Sequence, residues 1–211
     1  MNRSFFAAIF AGISLFATLP SSAQAKDVAN NYGIKISVPD AWVLDSAAMR
    51  NAKVKLTELL TAIKTEGKVR ILNTGTAPGA VEGYSRVRLN ITSDLTLSQA
   101  DVANLTDEDL KELAAAFAPE LVAMPLFRVE RDSISVTSTR TDDGFLGIRL
   151  SYVRSGTNGP VKVHQYWFPF SNRAAQLTLS YEVAKQDVLW PPLLKVLSSL
   201  RLTDQELWPK P

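Results

Sequence analysis

The side chain best suited to catalysis is His164, the only histidine in the chain. A histidine can act as a general base or bind a metal because its charge changes near neutral pH. A serine hydrolase would place a serine within hydrogen-bond reach, yet the sequence has no Gly-x-Ser-x-Gly nucleophile motif. His164 lies in an alternating segment with Tyr166 and Phe168 on the same side. We therefore expect a structural histidine, and the alternative is a periplasmic hydrolase using His164 with a nearby Ser or carboxylate.

The acidic residues and the missing cysteines point away from metal and cofactor sites. Asp142-Asp143 precedes Gly144 in a turn signature, and Asp107-Glu108-Asp109 lies where negative charge stabilises a helix N-terminus. Neither group has the alternate spacing of a calcium loop. Because the chain has no cysteine, thiolate catalysis, cysteine-based zinc sites and disulfides are excluded. We expect no catalytic residue, no cofactor and no metal.

The strongest functional candidate is a polar face of a predicted sheet. Side chains at alternate positions of a strand point to the same side, so polar residues from several strands could share one face. Such a face would combine cationic, aromatic and amide groups, which suits an anionic ligand or an extended partner. The residues predicted to form it are Tyr84, Arg86, Arg88, Arg149, Lys162, His164, Tyr166 and Gln176. The alternative is a solvated sheet face that binds nothing.

The elements that would position these residues follow from the hydrophobic periodicity. Alternation predicts strands at 34–38, 42–44, 69–72 and 84–92, and longer strands at 127–139, 145–154, 161–170 and 174–182. Helical spacing and caps predict a first helix that follows a cap at Asp45 or Ser46 and stops at Gly67. Two further helices are predicted at roughly 98–104 and 107–117, with Pro119 ending or restarting the second of these. A last helix is predicted to open at Trp190-Pro191-Pro192. Short turns make the last four strands an antiparallel meander, and the element order predicts an α+β fold with an antiparallel sheet flanked by amphipathic helices.

The first 25 residues are expected to be a signal peptide. Arg3 precedes an apolar run from Phe5 to Leu19, and Pro20 and the small-residue ending Ala23-Gln24-Ala25 follow. The run is shorter than the roughly 20 apolar residues that span a bilayer. We expect cleavage after Ala25, a periplasmic location with secretion as the alternative, and no transmembrane anchor after cleavage.

Length and charge limit what the remaining chain can be. Removing 25 of the 211 residues leaves 186, which predicts a single α+β domain over 26–202 and a C-terminal tail over 203–211. The formal net charge of the whole chain is +2, without a concentrated basic segment that would indicate a nucleic-acid partner. We expect a monomer that binds a protein partner or a small ligand.

Two segments of the chain resemble a known fold group. The stretch from Tyr32 to Trp42 resembles the opening of Mog1/PsbP-like proteins, in which an apolar strand runs into a Pro-x-x-Trp corner. The stretch from Leu194 to Arg201 is similar to the amphipathic helix that closes the same group after its meander of long strands. The resemblance covers most of the chain after residue 25 and implies an αβα sandwich of Mog1/PsbP-like type.

The resemblance also implies a class of function. The group, which includes DcrB-like periplasmic proteins, resembles a set of non-enzymatic binding and accessory modules without a shared catalytic residue. The present chain lacks the lipoprotein cysteine common among DcrB-like members. We therefore expect a non-catalytic exported binding or accessory module, and a carrier of an apolar or lipid ligand is a further alternative.

Overall fold

The computed structural model describes residues 25–29, 32–51, 68–77, 79–92, 97–170 and 172–203. The predicted signal peptide, apart from Ala25, lies outside these ranges. Residues 47–51 are helical, as predicted for the first helix, whose remainder also lies outside the described residues. The same holds for residues 204–211 of the predicted tail.

Ten strands and three helices are bounded within the described ranges. The strands are β1 (Ala25–Ala29), β2 (Ile34–Pro39), β3 (Val43–Leu44), β4 (Lys68–Gly75), β5 (Ser85–Thr92), β6 (Val129–Arg140), β7 (Leu146–Arg154), β8 (Val161–Phe170), β9 (Arg173–Glu182) and β10 (Arg201–Leu202). The helices are α1 (Gln99–Ala103), α2 (Asp107–Val122) and α3 (Gln186–Ser198), with a 3-10 turn at Val183–Lys185 before α3. The predicted α+β class is confirmed.

The strands form two antiparallel sheets. Seven strands make the large sheet in the order β3-β4-β5-β9-β8-β7-β6, and three make a small sheet in the order β1-β2-β10. The four long strands β6 to β9 are neighbours in chain order, which confirms the predicted meander. Since β5 pairs with β9, the first half of the chain joins the meander edge to edge.

The large sheet buries side chains on both faces. On the face that we call the α3 face, Phe168, Leu177 and Leu179 pack with α3 and the small sheet in one core cluster. On the opposite α2 face, Leu150 and Val163 pack with α1 and α2 in a second cluster. The sheet is therefore the middle layer of a sandwich, in agreement with the predicted architecture.

Capping residues fix where α1 and α2 begin. Ser98 and Thr106 each accept a hydrogen bond from the backbone N–H three residues later, and the carboxylates of Asp101 and Asp109 accept one in return from the N–H of the cap residue. These reciprocal capping boxes satisfy N–H groups that a helix start would otherwise leave unpaired. The predicted caps are confirmed.

Prolines do not end or open helices where the sequence suggested. Helix α2 continues through Pro119 to Val122, so the predicted stop at residue 117 was wrong. Helix α3 begins at Gln186 and contains Pro191 and Pro192, so the predicted start at Trp190 was also wrong. The carbonyls that these two prolines leave unbonded belong to Asp187 and Val188, which are exposed and can be hydrated.

The small sheet contains two strands that periodicity did not predict. β1 and β10 flank β2, whose Ile34, Ile36 and Val38 are buried. Asp143, in the turn before β7, accepts a hydrogen bond from the Leu202 N–H at 2.8 Å. That turn is thus structural, as expected, and it fastens the meander to β10. No helix in the described ranges is both long and apolar enough to cross a membrane.

Candidate functional site

The strand register divides the predicted polar face into two. Directly paired residues of an antiparallel sheet share a face, and Arg86 and Arg88 pair with Ser180 and Thr178 on the α2 face. The α2 face carries Tyr84, Arg86, Arg88 and Gln176, and the α3 face carries Arg149, Lys162, His164 and Tyr166. The expectation of one shared face is therefore corrected to two groups of four. Their role in ligand binding stays a prediction.

His164 lies in an aromatic and cationic corner of the α3 face. Its ring is 5.0 Å from the Trp190 ring and 6.0 Å from the Tyr181 ring, between centroids. Burial, reinforced by the positive charges of Arg149 and Lys162, lowers the pKa of His164 from 6.5 to about 4. The imidazole is therefore neutral at physiological pH.

Ser151 lies within hydrogen-bond reach of this histidine. Its Oγ is 2.7 Å from His164 Nδ1, so the distance required for a Ser-His pair is met. The exposed fractions of the two residues are only 5% and 9%, and Ser151 sits within the β6-β7-β8 ladder rather than on a sharp turn. The hydroxyl is thus a buried partner of a neutral imidazole, without the exposed geometry of a nucleophile elbow.

The other predicted residues of the α3 face are packed rather than presented to a ligand. Tyr166 is buried opposite Arg149, and burial raises the pKa of its hydroxyl. Lys162 is partly buried, and burial lowers the pKa of its amine. Arg149 Nε is buried and has no hydrogen-bond partner among the described residues. None of the four lines the cleft at the end of the large sheet or the groove beside the small sheet.

The α2 face carries three arginines from two neighbouring strands, which we call the arginine cluster: Arg70, Arg86 and Arg88. Arg86 and Arg88 occupy alternate positions of β5, and Arg70 lies on β4 opposite Asn90. Arg70 Nε donates to Asn90 Oδ1 at 3.2 Å, which holds its guanidinium over the sheet. Arg88 Nε is buried and has no hydrogen-bond partner within the described part of the chain.

An aromatic bridge extends this cationic surface to β7. The Arg86 guanidinium lies 5.7 Å from the centre of the Tyr84 ring, and the Arg154 guanidinium lies 5.9 Å from it. Arg154 also lies 4.8 Å from the centre of the Phe127 ring. Such cation–π contacts engage the face of a guanidinium group and not its N–H donors. Arg154 also donates to the Ser155 carbonyl oxygen at 2.8 Å and to the Tyr84 hydroxyl at 3.4 Å. Tyr84 is anchored in turn by a 3.3 Å contact between its hydroxyl and Ser180 Oγ.

These residues border a cleft of about 800 Å³ at one end of the large sheet, which we call the end cleft. It opens where β5 and β8 begin and where β4, β7 and β9 end. Its rim includes the glycine-containing stretches Gly79–Gly83 and Gly156–Gly159. Tyr84, Arg86, Phe127 and Arg154 line it. The volume is that of a small-molecule site.

Among the described lining residues of the end cleft, two arginines are balanced by two carboxylates, whereas the neighbouring arginine cluster is cationic. Burial, followed by the charges of Arg70 and Arg86, lowers the pKa of Arg88 to about 10, so the group stays protonated at neutral pH. The carboxylates among the described lining residues are Asp45 and Glu182. Asp45 accepts a hydrogen bond from the Asn73 amide, and Glu182 Oε2 accepts from the Tyr84 N–H at 3.3 Å. Within the described ranges, no three His, Asp or Glu side chains gather as a metal site would require.

Sequence reasoning missed Arg70, Phe127 and Arg154. Arg70 and Arg154 alternate with apolar neighbours in predicted strands, so the signal for a polar face was present in each. What was absent is the register that brings β4 and the end of β7 to the same side as β5. Phe127 lies just before β6 and carries no periodic signal that would mark it as a site residue.

A second, more apolar groove of about 550 Å³ lies beside the small sheet. It runs between the corner around Trp42 and the first half of α3, and Val38, Leu189 and Pro192 contribute to its walls. The groove is open at the surface, between β2 of the small sheet and α3.

The comparisons with known proteins bear on the fold alone. No family model matches the sequence, and no curated protein matches it. Among solved structures, the chain is similar to a cyanobacterial PsbP (CyanoP) from Synechocystis sp. PCC 6803, with a TM-score of 0.54, 11% sequence identity, and coverage of 94% of this chain and 98% of that one. LpqN of Mycobacterium tuberculosis, involved in cell envelope biogenesis, is more distant, with a TM-score of 0.46, 16% identity, and coverage of 85% and 91% respectively.

The similarity to cyanobacterial PsbP confirms the predicted fold group. It extends over nearly the whole length of both chains. At 11% identity it gives the fold and leaves the function to be argued from the residues of this chain.

Proposed function

We propose that this chain, which has the PsbP fold, is an exported, non-catalytic binding or accessory module of the periplasm that holds an anionic ligand in the end cleft. The ligand is either a small molecule or the acidic part of a protein partner. The residues that bind it are Tyr84, Arg86, Arg88, Gln176, Arg70 and Arg154. The opposite face of the sheet is formed in part by Arg149, Lys162, His164 and Tyr166.

The observation that carries this proposal is the set of guanidinium groups around the end cleft. Arg86 and Arg154 line the cleft, and Arg70 and Arg88 lie beside Arg86 on the same face of the sheet. The lining carboxylates Asp45 and Glu182 already accept hydrogen bonds from the protein. Cation–π contacts and an amide hydrogen bond hold Arg70, Arg86 and Arg154 in place. Arranging cations this way before a ligand arrives reduces the ordering cost of binding.

The hydrolase alternative rests on the 2.7 Å contact between Ser151 and His164. Both residues are buried, and the low pKa of His164 makes it a weak base. The carrier alternative rests on the groove beside Trp42, which is open at the surface. The end cleft is favoured over both because it has the volume of a small-molecule site, is open to solvent and is lined by guanidinium groups that suit an anion.

The first test is a thermal-shift survey of the purified protein against phosphate, citrate, glutamate and glucuronate. We expect at least one anion to raise the melting temperature by about 5 °C at saturating concentration, since binding stabilises the folded state by mass action. Arg86→Gln should abolish the shift because it removes a guanidinium of the cleft wall. Arg131→Gln, on the exposed part of β6, is the matched control and should retain it.

Two results would count against the binding role. If no anion shifts the melting temperature, the cleft has no affinity for the class of ligand proposed. If a fluorophosphonate probe labels Ser151 and the labelling is lost in His164→Gln, the chain is a serine hydrolase. Phospholipid found by native mass spectrometry in the purified protein would favour the carrier.

A further inference from the structure

We infer that the arginine cluster binds a single dianionic tetrahedral group, such as a phosphate monoester. This inference deepens the proposed function and rests on it, because it names the chemical class of the ligand held beside the end cleft. It concerns Arg70, Arg86 and Arg88 and is carried by their spacing, their residue type and the charge around them.

The spacing of the three arginines fits a compact anion. Arg86 and Arg88 are two residues apart on β5, or about 7 Å along the strand. Arg70 is a diagonal neighbour of Arg88 across the β4-β5 pair, at roughly 7–8 Å. These are spacings between the points where the side chains leave the backbone. Arginine side chains are long enough to bring N–H donors from such neighbouring positions to one small anion lying between them.

The residue type also favours a phosphoryl group. The cations of the cluster are all arginines, whose planar forks of N–H donors match the paired oxygens of phosphate and carboxylate. Arg88 is central in the row, and its buried Nε has no acceptor among the described residues. A buried donor without an acceptor is costly in an empty site, and an anion oxygen above Arg88 would remove that cost.

The charge around the cluster calls for a dianion. The three cluster arginines bring three positive charges. Among the described residues, the carboxylate of Asp45 acts on Arg70 and no carboxylate charge acts on Arg88, which leaves an excess of two. A phosphate monoester carries close to two negative charges at pH 7 because its second pKa is about 6. A monoanion would leave half of the excess uncompensated.

Calorimetric titration of the purified protein tests the ligand class directly. Phosphate and glucose 1-phosphate are the proposed type, sulfate has the same shape and charge, succinate is a dianion of a different shape, and acetate is a monoanion. We expect the three tetrahedral dianions to bind at least tenfold more tightly than succinate and acetate. Vesicles of phosphatidic acid, compared with vesicles of phosphatidylcholine, decide whether the phosphate belongs to a soluble ligand or to a lipid headgroup.

Substitutions locate the binding to the cluster. Arg88→Gln should weaken phosphate binding about tenfold or more, the usual effect of losing a charge-assisted hydrogen bond. Arg88→Lys keeps the charge without the planar fork and should restore only part of the affinity. Arg86→Gln, at a position less enclosed than Arg88, provides a second variant if Arg88→Gln does not fold. Arg131→Gln is again the control and should bind like the unaltered protein.

The outcomes separate the two levels of the proposal. If citrate or succinate binds in an Arg86-dependent manner while phosphate, sulfate and glucose 1-phosphate do not, the binding function stands and the tetrahedral ligand class is wrong. If phosphate binds equally well to Arg86→Gln, Arg88→Gln and the unaltered protein, the cluster is not the site and the inference is overturned. If none of the anions binds, both proposals fail.

Discussion

His164 shows how burial can make a titratable residue a determinant of stability. Its ring packs near Trp190 and Tyr181, and its Nδ1 shares a hydrogen bond with Ser151. The folded protein therefore holds the imidazole neutral, whereas an unfolded chain would protonate it below its ordinary pKa of 6.5. Proton uptake by the unfolded state makes the stability of the fold depend on pH.

The first consequence is a loss of stability on acidification. Because the folded pKa is lowered to about 4, the contribution of His164 is fully present above pH 6.5 and is lost as the pH falls from 6.5 to 4. Between pH 7 and pH 4.5, the free energy of unfolding should decrease by about 2–3 kcal/mol through this group. Urea unfolding at a series of pH values measures the decrease.

His164→Gln separates this effect from the titration of carboxylates. The variant keeps a polar side chain but has no ionisation in the window, so its free energy of unfolding should change less with pH than that of the unaltered protein. Since the chain has no other histidine, the difference between the two slopes reports one group. Parallel slopes would show that the imidazole is not held neutral.

For the individual residues of the candidate site, the sequence predicts which residues take part better than it predicts how they are arranged. Tyr84, Arg86 and Arg88 were identified from alternation because a strand fixes the relative side of its own residues. Alternation cannot say which face of one strand matches which face of another, since a shift of one residue exchanges them. This is why Arg149 and Lys162 were placed with Arg86, although the register puts them on the opposite side.

At the scale of secondary-structure elements, the packing of β7 against β8 depends on a residue that has no side chain. Gly147 in β7 lies where a Cβ would meet the backbone oxygen of Trp167 and would come within 2.5 Å of Phe168 Cδ1. The Phe168 ring is fully buried in the core cluster of the α3 face. The absence of a Cβ at Gly147 therefore leaves the room that the Phe168 ring and the Trp167 oxygen of β8 occupy beside β7.

We expect Gly147→Ala to destabilise the protein by about 1–3 kcal/mol, the usual cost of overpacking a core. Chemical denaturation gives the change in the free energy of unfolding. Gly144→Ala in the preceding turn is the comparison, because its φ of +95° strains an alanine while no heavy atom lies within 4 Å of its Cβ. Equal losses for the two variants would mean that backbone strain, and not contact with Phe168, sets the cost.

Strands and helices were predictable where alternation or a capping residue within the segment determines their bounds. β8 begins and ends where alternation placed it, and the caps at Ser98 and Thr106 start α1 and α2 as expected. β1 and β10 were not predicted, because each is short and is defined by pairing with β2 rather than by its own pattern. The start of α3 was predicted wrongly because prolines can lie in the second turn of a helix when the carbonyls they leave unbonded are exposed to water.

For the molecule as a whole, the small sheet joins segments from opposite parts of the sequence. Leu202 pairs with Ile34 and is buried in the core cluster of the α3 face. Its N–H donates to Asp143, and the Thr203 N–H donates to the Gly33 oxygen at 2.8 Å. β10 is thus tied to the small sheet and to the turn before β7 despite containing two residues.

We expect a chain ending after Leu200 to be less stable by about 2–4 kcal/mol, because it loses the burial of Leu202 and the hydrogen bonds of β10. A chain ending after Thr203 retains these contacts and serves as the control. Urea unfolding of the two truncated proteins and of the full chain gives the comparison. Identical midpoints for both truncations would show that β10 contributes nothing to the fold.

The same pairing has a consequence for the order in which the protein can be built during synthesis. β2 is made early, yet its partner β10 emerges more than 160 residues later. Until then, the apolar side of β2, with Ile34, Ile36 and Val38, has no completed sheet to join. A growing chain therefore cannot complete the small sheet until β10 has been synthesised, so the last step of folding waits for a strand that is made long after its partner.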